Sequence, residues 1–424
     1  MYTNLSREEL SALKTRLEAE YEALKSKGLA LDMSRGKPSR EQLDLANEML
    51  AVDLGDYKSE CGFDCRNYGL LDGIDEAKRL MSPLLGTGDL SRIIVGGNSS
   101  LQLMYNFIAN AVNFGVSDEF EPWGKQKTVK FLCPVPGYDR HFTLLQTFGI
   151  EMISVPMLQG GPDMNAVEAL AAEDAAVKGI FCVPLYSNPD GICCSAETVR
   201  RLAAMKTKAA DFRIVWDNAY GAHHLSAEPC NLLNLQDECE KAGNPHRAYV
   251  FASTSKITFA GGGISAMASS AENIAYTKKL LSVQTIGFDK INQLRHVKFF
   301  KDYSGITAHM ERHAALLSPK FRVVCDMLEN EILPHGLGEW HKPDGGYFVS
   351  FNGINGTAKR VVELCKAAGV VLTAAGAAFP YGIDPCDKNI RIAPSFPPVD
   401  ELQSAMEVFC TSVKLAAVEK MLAT

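Results

Sequence analysis

From about residue 74 onward, short apolar runs alternate with amphipathic stretches of helical period, and no other feature constrains the fold as strongly. The runs are Arg92–Val95, Val129–Cys133, Met152–Val155, Ile180–Val183, Phe212–Trp216, Ala248–Phe251 and Ile264–Ala268. Each reads as a strand buried on both faces, and strands separated by helices predict a mainly parallel sheet between helical layers. One intervening helix carries the stripe Leu101, Met104, Tyr105, Ile108 and Val112. After about residue 308 a long helical stretch leads to strand candidates at Gly346–Phe351, Val370–Thr373 and Asn389–Ala393, then to a helix from about Val399. That mix predicts a smaller α+β domain. Residues 6–27 read as a helix whose Ser6 and Glu9 form a capping box, and Leu31–Pro38 as an extended or turning segment. The expected division is an amino-terminal helix and segment joining the small domain (1–48), a large domain (49–308) and a small carboxy-terminal domain (309–424).

The chemistry gathers at strand ends, where α/β sheets place ligands. Lys256 follows the run Ala248–Phe251 in Ser253-Thr254-Ser255-Lys256 and precedes Gly261-Gly262-Gly263. Desolvation there would lower its pKa and free the amine to form a Schiff base; a strand-end lysine whose ammonium reaches water is the plainer alternative. Gly96-Gly97-Asn98-Ser99-Ser100 follows another strand and opens a helix, as a phosphate cup or an ordinary capped helix would. No Gly-Lys-Ser/Thr follows, so it is not a Walker loop. Asp217 ends Phe212–Trp216, as an ion-paired carboxylate or as the partner of a protonated ring nitrogen. Tyr138 follows Pro136-Gly137, and Asn188 stands in the turn-forming Asn188-Pro189-Asp190-Gly191.

Composition narrows the function. Of 424 residues, 46% are hydrophobic and 22% charged, with a net charge of −7. An acidic chain argues against nucleic acid or a membrane surface as partner, and no apolar run reaches spanning length. The start, Met1-Tyr2-Thr3-Asn4 and then a charged helical pattern, does not read as a signal peptide. The 12 cysteines form no regular framework, which fits reduced thiols in a cytoplasm. Cys61 with Cys65, and Cys193 with Cys194, lack a second pair at zinc-ligand spacing, and no metal is expected. His309 and His313, one turn apart without the His-Glu-x-x-His order, read as a solvated helix face. His223 and His224 receive no role.

Taken in order, the glycine/serine cup, Tyr138, the Asn-Pro-Asp-Gly turn, Asp217-x-x-Tyr220, Ser253-x-x-Lys256 and a late strand carrying Arg391 resemble the fold-type I pyridoxal-phosphate aminotransferases, class I/II. The resemblance covers essentially the whole chain. Gly345-Gly346-Tyr347-Phe348-Val349 and Asn389-Ile390-Arg391-Ile392-Ala393 resemble the small-domain signatures. Ser34-Arg35-Gly36-Lys37-Pro38-Ser39 is similar to the start of an aspartate aminotransferase-like subgroup. The resemblance implies pyridoxal 5'-phosphate held by Lys256, which would also move a proton between substrate and cofactor. It implies Asp217 on the pyridine nitrogen, Tyr220 and Asn188 on the ring phenolate oxygen, and Tyr138 on the ring face. Asn98, Ser99, Ser100 and Ser253 would hold the phosphate, with Ser255 also among the cofactor-binding residues and Tyr68 reaching the phosphate from the neighbouring subunit of a homodimer. Arg391 would clamp the substrate carboxylate, with Gly36, Asn188 and Arg35 beside it.

Relatives usually carry a phosphate-binding arginine about eight residues after the lysine. Here that place is Gly263-Ile264, and no Lys or Arg occurs from Ile257 to Asn273. For a distal carboxylate, Lys290 or Arg295 lies where dicarboxylate-specific relatives place a cation from the partner subunit, and Arg35 is a third candidate. The expected reaction is ping-pong transamination of aspartate or glutamate with 2-oxoglutarate. The alternatives are an aminotransferase for aromatic or other amino acids, or a lyase on the same fold. A cofactor-sensing regulator would need a DNA-binding segment that 6–27 is too short to supply. Lys256, Asp217 and Arg391 together argue against a catalytically dead relative.

Overall fold

All seven apolar runs become strands of one eight-stranded sheet in the structure, a computed structural model that describes residues 1–423. Across the sheet the strands run Ile93–Val95, Ser265–Ala268, Ala248–Ser253, Arg213–Asp217, Val177–Cys182, Lys130–Val135, Glu151–Leu158 and Gly161–Pro162. The five from Ala248–Ser253 to Glu151–Leu158 are mutually parallel. Ser265–Ala268 runs antiparallel, with Ser253 opposite Ser265, because residues 254–264 contain no crossover helix to carry the chain back. Gly161–Pro162 had no sequence signal; two residues are too short for a period. The central strands are buried along their lengths, which is why they read as unbroken apolar runs.

Helices cover both faces. The helix Ser100–Phe114 buries Leu103, Met104, Phe107, Ile108 and Ala111, a face rotated from the expected stripe, and leaves Tyr105 46% exposed. Two apolar clusters flank the sheet, and a third core lies apart from them. That third core joins Leu10, Leu13, Leu17, Tyr21 and Leu24 of the first helix (Arg7–Lys25) to the last helix, Val399–Ala423, and to the three-stranded sheet Gly338–Trp340, Val349–Gly353, Asn389–Ile392. Ser6 caps the first helix with Glu9 as expected. Leu31–Asp32, read as an extended segment, pairs in parallel with Val370–Val371 and so fastens the amino-terminal segment to this core.

The helix Tyr303–Glu331 bridges the cores. Its Ile306 and Met310 pack with the large sheet, while Leu317, Phe321, Val324 and Leu328 pack with the small one. His309 and His313 lie between these groups and are buried, not solvated. The expectation of a polar face failed because one helix serves two cores, so its covered side does not keep a single stripe. Among the described residues no helix is long and apolar enough to cross a membrane.

Candidate active site

Asp217 ends its strand almost fully buried, and its Oδ2 lies 3.0 Å from His141 Nε2. His141 sits on the helix Asp139–Thr147, one turn after Tyr138, and stacks on Phe181 with ring centroids 4.3 Å apart. Asp217 Oδ1 has no hydrogen-bond partner among the described residues. A buried carboxylate oxygen left bare costs about 1–3 kcal/mol unless a donor reaches it. His141 was missed in the sequence; the signal was its spacing of three from Tyr138, on one helix face.

Lys256 lies partly buried in the loop after Ala248–Ser253, with Nζ 5.1 Å from the Tyr220 ring centroid and 6.0 Å from that of Tyr347. Burial pulls its pKa below 10.5, and the Asp217 charge opposes that shift. Burial pushes the Tyr220 phenol well above its ordinary value and that of Tyr138 up to about 12, so both hydroxyls keep their protons. The loop is braced from below. Thr254 and Thr258 hydroxyls contact His296 Nε2 at 3.1 and 3.0 Å, while His296 Nδ1 donates to Asn292 O at 2.8 Å. Asn292 Nδ2 donates to the carbonyls of Gly262 and Gly263 at 2.9 and 3.0 Å. A side chain at Gly263 would press within 3.0–3.2 Å of Ser255 N, Thr254 Oγ1 and Phe259 O. The place of the expected arginine is therefore a tightly packed backbone turn.

The cup at Asn98, Ser99 and Ser100 meets the same loop. Ser255 Oγ donates to Asn98 O at 2.6 Å, and Asn98 Nδ2 donates to Ala260 O at 3.3 Å. Ser99 stands at the N-cap of Ser100–Phe114 but makes no capping bond, which leaves its hydroxyl for a ligand. Ser253 closes the neighbouring strand.

Arg391, on Asn389–Ile392, is buried. Its Nη1 donates to Asp139 Oδ1 at 2.8 Å and to Asn188 Oδ1 at 3.3 Å, and its Nη2 to Thr373 Oγ1 at 3.2 Å. Its Nε has no partner among the described residues, and its guanidinium lies 5.0 Å from the Phe348 ring centroid. Gly36 packs against Phe348, where an added Cβ would clash with the tip of the ring. A cleft of about 510 Å³ brings together Gly36, Tyr138, Asn188, Tyr220, Lys256 and Arg391. Arg35, Lys37 and Arg140 also line it. Asp139, Arg140 and Thr373 were not expected; Asp139 and Arg140 follow Tyr138 directly, and Thr373 is reached only through the fold.

Asp217 and the cup residues Asn98, Ser99, Ser100, Ser253 and Ser255 do not line this cleft, and three further expected residues also stay outside it within one chain. Tyr68 is 79% exposed, and Lys290 is buried with Nζ 5.8 Å from the Phe63 ring centroid. Arg295 does not line it either.

A large mixed sheet, a strand-end lysine beside a buried aspartate and an arginine from the smaller sheet define a fold-type I pyridoxal-phosphate aminotransferase. The sequence model of the aspartate amino-transferase family matches residues 5–424, and the chain belongs to that family. It is 47% identical to an aspartate aminotransferase of Corynebacterium glutamicum over 404 residues, 95% of this chain and 93% of that one. The crystal structure of an aspartate transaminase from Corynebacterium glutamicum matches with a TM-score of 0.96 at 46% identity, over 98% of each chain. An α-aminoadipate aminotransferase of Thermus thermophilus shares the fold at 16% identity, with a TM-score of 0.74 over 94% of this chain and 95% of that one.

Proposed function

We propose that this aminotransferase holds pyridoxal 5'-phosphate at Lys256 and transaminates an acidic amino acid against 2-oxoglutarate. The observation that carries the cofactor assignment is Asp217. One carboxylate oxygen is fixed by His141 and the other is buried without a partner, as suits a protonated pyridine nitrogen. The Thermus relative of the same fold is complexed with a phosphopyridoxyl-leucine.

When bound, pyridoxal phosphate supplies an electron sink for the pair left on the substrate α-carbon. The chain's own groups do the rest. Asp217 keeps the ring nitrogen protonated, and His141 holds Asp217 in register. Tyr220 and Asn188 would hydrogen-bond the ring phenolate oxygen, and Tyr138 would cover one ring face. Asn98, Ser99, Ser100 and Ser253 would donate to the phosphate, joined by Tyr68 of the partner subunit in a homodimer, while Ser255 ties the cup to the lysine loop through Asn98 O. The Lys256 amine, its pKa depressed by burial, would hold the cofactor and would serve as the base for the proton at the substrate α-carbon. Arg391 would take the α-carboxylate, and Gly36, lacking a Cβ, admits the Phe348 ring that lies beside Arg391.

The acidic side chain requires a second cation. Arg35, Lys37 and Arg140 line the cleft and support this substrate class; Lys290 or Arg295 of the partner subunit would add to them. The cores support a division into residues 1–48 with 309–424 and residues 49–308. The acidic chain and its free thiols suit the cytoplasm. The test is the absorption band of the cofactor-loaded protein. Aspartate should remove it and 2-oxoglutarate restore it. A band indifferent to aspartate but removed by an aromatic amino acid would overturn the acidic substrate.

A further inference from the structure

Behind Lys256 lies a buried polar chain with no part in the scheme above. Gln42 is fully buried on the short helix Arg40–Asp44, and its Oε1 accepts from Ser39 N–H at 3.0 Å. That bond fixes the amide, so Gln42 Nε2 is the donor to both Tyr347 Oη at 2.9 Å and His313 Nδ1 at 3.1 Å. Burial lowers the His313 pKa to about 3, so its ring is neutral and carries its one hydrogen on Nε2. This Nε2 stands 3.1 Å from His309 Nε2, which stands 2.8 Å from the carbonyl oxygen of Ile257.

Two imidazole nitrogens and one carbonyl thus meet at a single point. If His309 carries its hydrogen on Nε2, it satisfies Ile257 O but faces the His313 N–H. If His309 Nε2 is bare, it accepts from His313 but opposes its lone pair to the carbonyl. Either tautomer leaves one contact unfavourable, so the junction responds to a small shift of the Ile257 carbonyl. Ile257 is the residue after Lys256, and Tyr347 precedes Phe348, the ring under Arg391. His309 and His313 also sit where their helix passes from one core to the other.

We propose that His313, His309 and Gln42 are positioning residues that set the Lys256 amine through the Ile257 carbonyl and couple it, through Tyr347, to the substrate-carboxylate side of the cleft. The proposal rests on Lys256 being the cofactor-bearing lysine. The titratable and charged groups around the pair are His223, Lys256, Tyr347 and Arg312, with Asp217 and Tyr220 beyond the lysine.

The test uses the cofactor-loaded enzyme with His313→Leu, His313→Gln and Tyr347→Phe. His313→Leu should move the pH midpoint of the cofactor absorption band by about half a unit or more. It should lower kcat roughly 10-fold to 100-fold with KM within about twofold. His313→Gln, which keeps an acceptor for Gln42 and a donor toward His309 Nε2, should restore both. Tyr347→Phe removes only the hydroxyl and should move the midpoint the same way, which keeps the test decisive if His313→Leu does not fold. Unchanged midpoints and kcat, with only a lower melting temperature, would overturn the coupling and leave the cofactor assignment standing. A wild-type protein without a Lys256-dependent band would overturn both.

Discussion

At the scale of single residues, the site depends on groups whose charge states are set by burial rather than by partners. Lys256 is the case in point: burial lowers its pKa from 10.5, and the attraction of Asp217 does not cancel that. The neutral, nucleophilic form is therefore populated at lower pH than in a free lysine. The rate at which cofactor-free protein captures pyridoxal phosphate should rise with pH and level off below pH 10.5, read by stopped-flow absorption. A plateau reached only at or above that value would remove desolvation from the account. Lys256, Asp217, Tyr220 and Asn188 were legible because they stand at or soon after strand ends, and Arg391 because it lies within a late strand, all in a recognisable order. His141, Asp139 and Thr373 were not. Their roles come from contacts across the fold, with Thr373 and Arg391 meeting only after the small sheet closes.

At the scale of elements, the apolar runs marked every long strand of the sheet because burial on both faces leaves an uninterrupted signal. The two-residue strands at Leu31–Asp32 and Gly161–Pro162 carry no such signal. The segment after Leu31 nevertheless shapes the cleft, since Gly36 packs against Phe348. Gly36→Ala would drive a methyl into that ring. The expected outcome is a KM for the amino acid raised on the order of 10-fold with the fold intact, because the ring under Arg391 must move. Steady-state kinetics with unchanged KM would show that Phe348 yields without disturbing Arg391. On the first helix, Leu17 is buried against the last one. Leu17→Ala should cost about 2–5 kcal/mol by denaturant unfolding, as for other buried leucines. A loss well under that range would mean the helix pair collapses onto the cavity.

At the scale of the whole molecule, acid should act through buried histidines. His223, His309, His313 and His296 all have folded pKa values below 6.5, with His296 near 4 and His313 near 3. Below pH 6.5 the unfolded chain binds protons that the folded chain refuses. Their contribution is complete above 6.5 and is lost as pH falls toward about 3. Asp190 acts oppositely: burial raises its pKa to about 7, so its contribution is complete below 3.8 and declines as pH rises to about 7. His224 and His335 are shifted down as well, so six groups against one predict a melting temperature that falls steadily from pH 7 to pH 4. A flat profile by calorimetry would mean that the histidines are solvated in solution. Assembly offers a separate check. If Tyr68 is supplied by a partner subunit, as proposed, activity should fall on dilution together with the dimer fraction, and Tyr68→Phe should weaken cofactor retention. Dilution that dissociates the protein without loss of activity would confine the site to one chain.

The ion pair between Arg391 and Asp139 has its own consequence. In the proposed role, an incoming α-carboxylate finds one guanidinium nitrogen, Nη1, already held by a tethered anion, with Nε still bare. Binding is then an exchange of one carboxylate for another, and the net affinity is a difference between two similar attractions. The cleft carries its own competitive inhibitor, attached at the foot of a helix. Such a site releases its product acid as readily as it accepts its substrate, which is what a reaction running in two reversible halves requires.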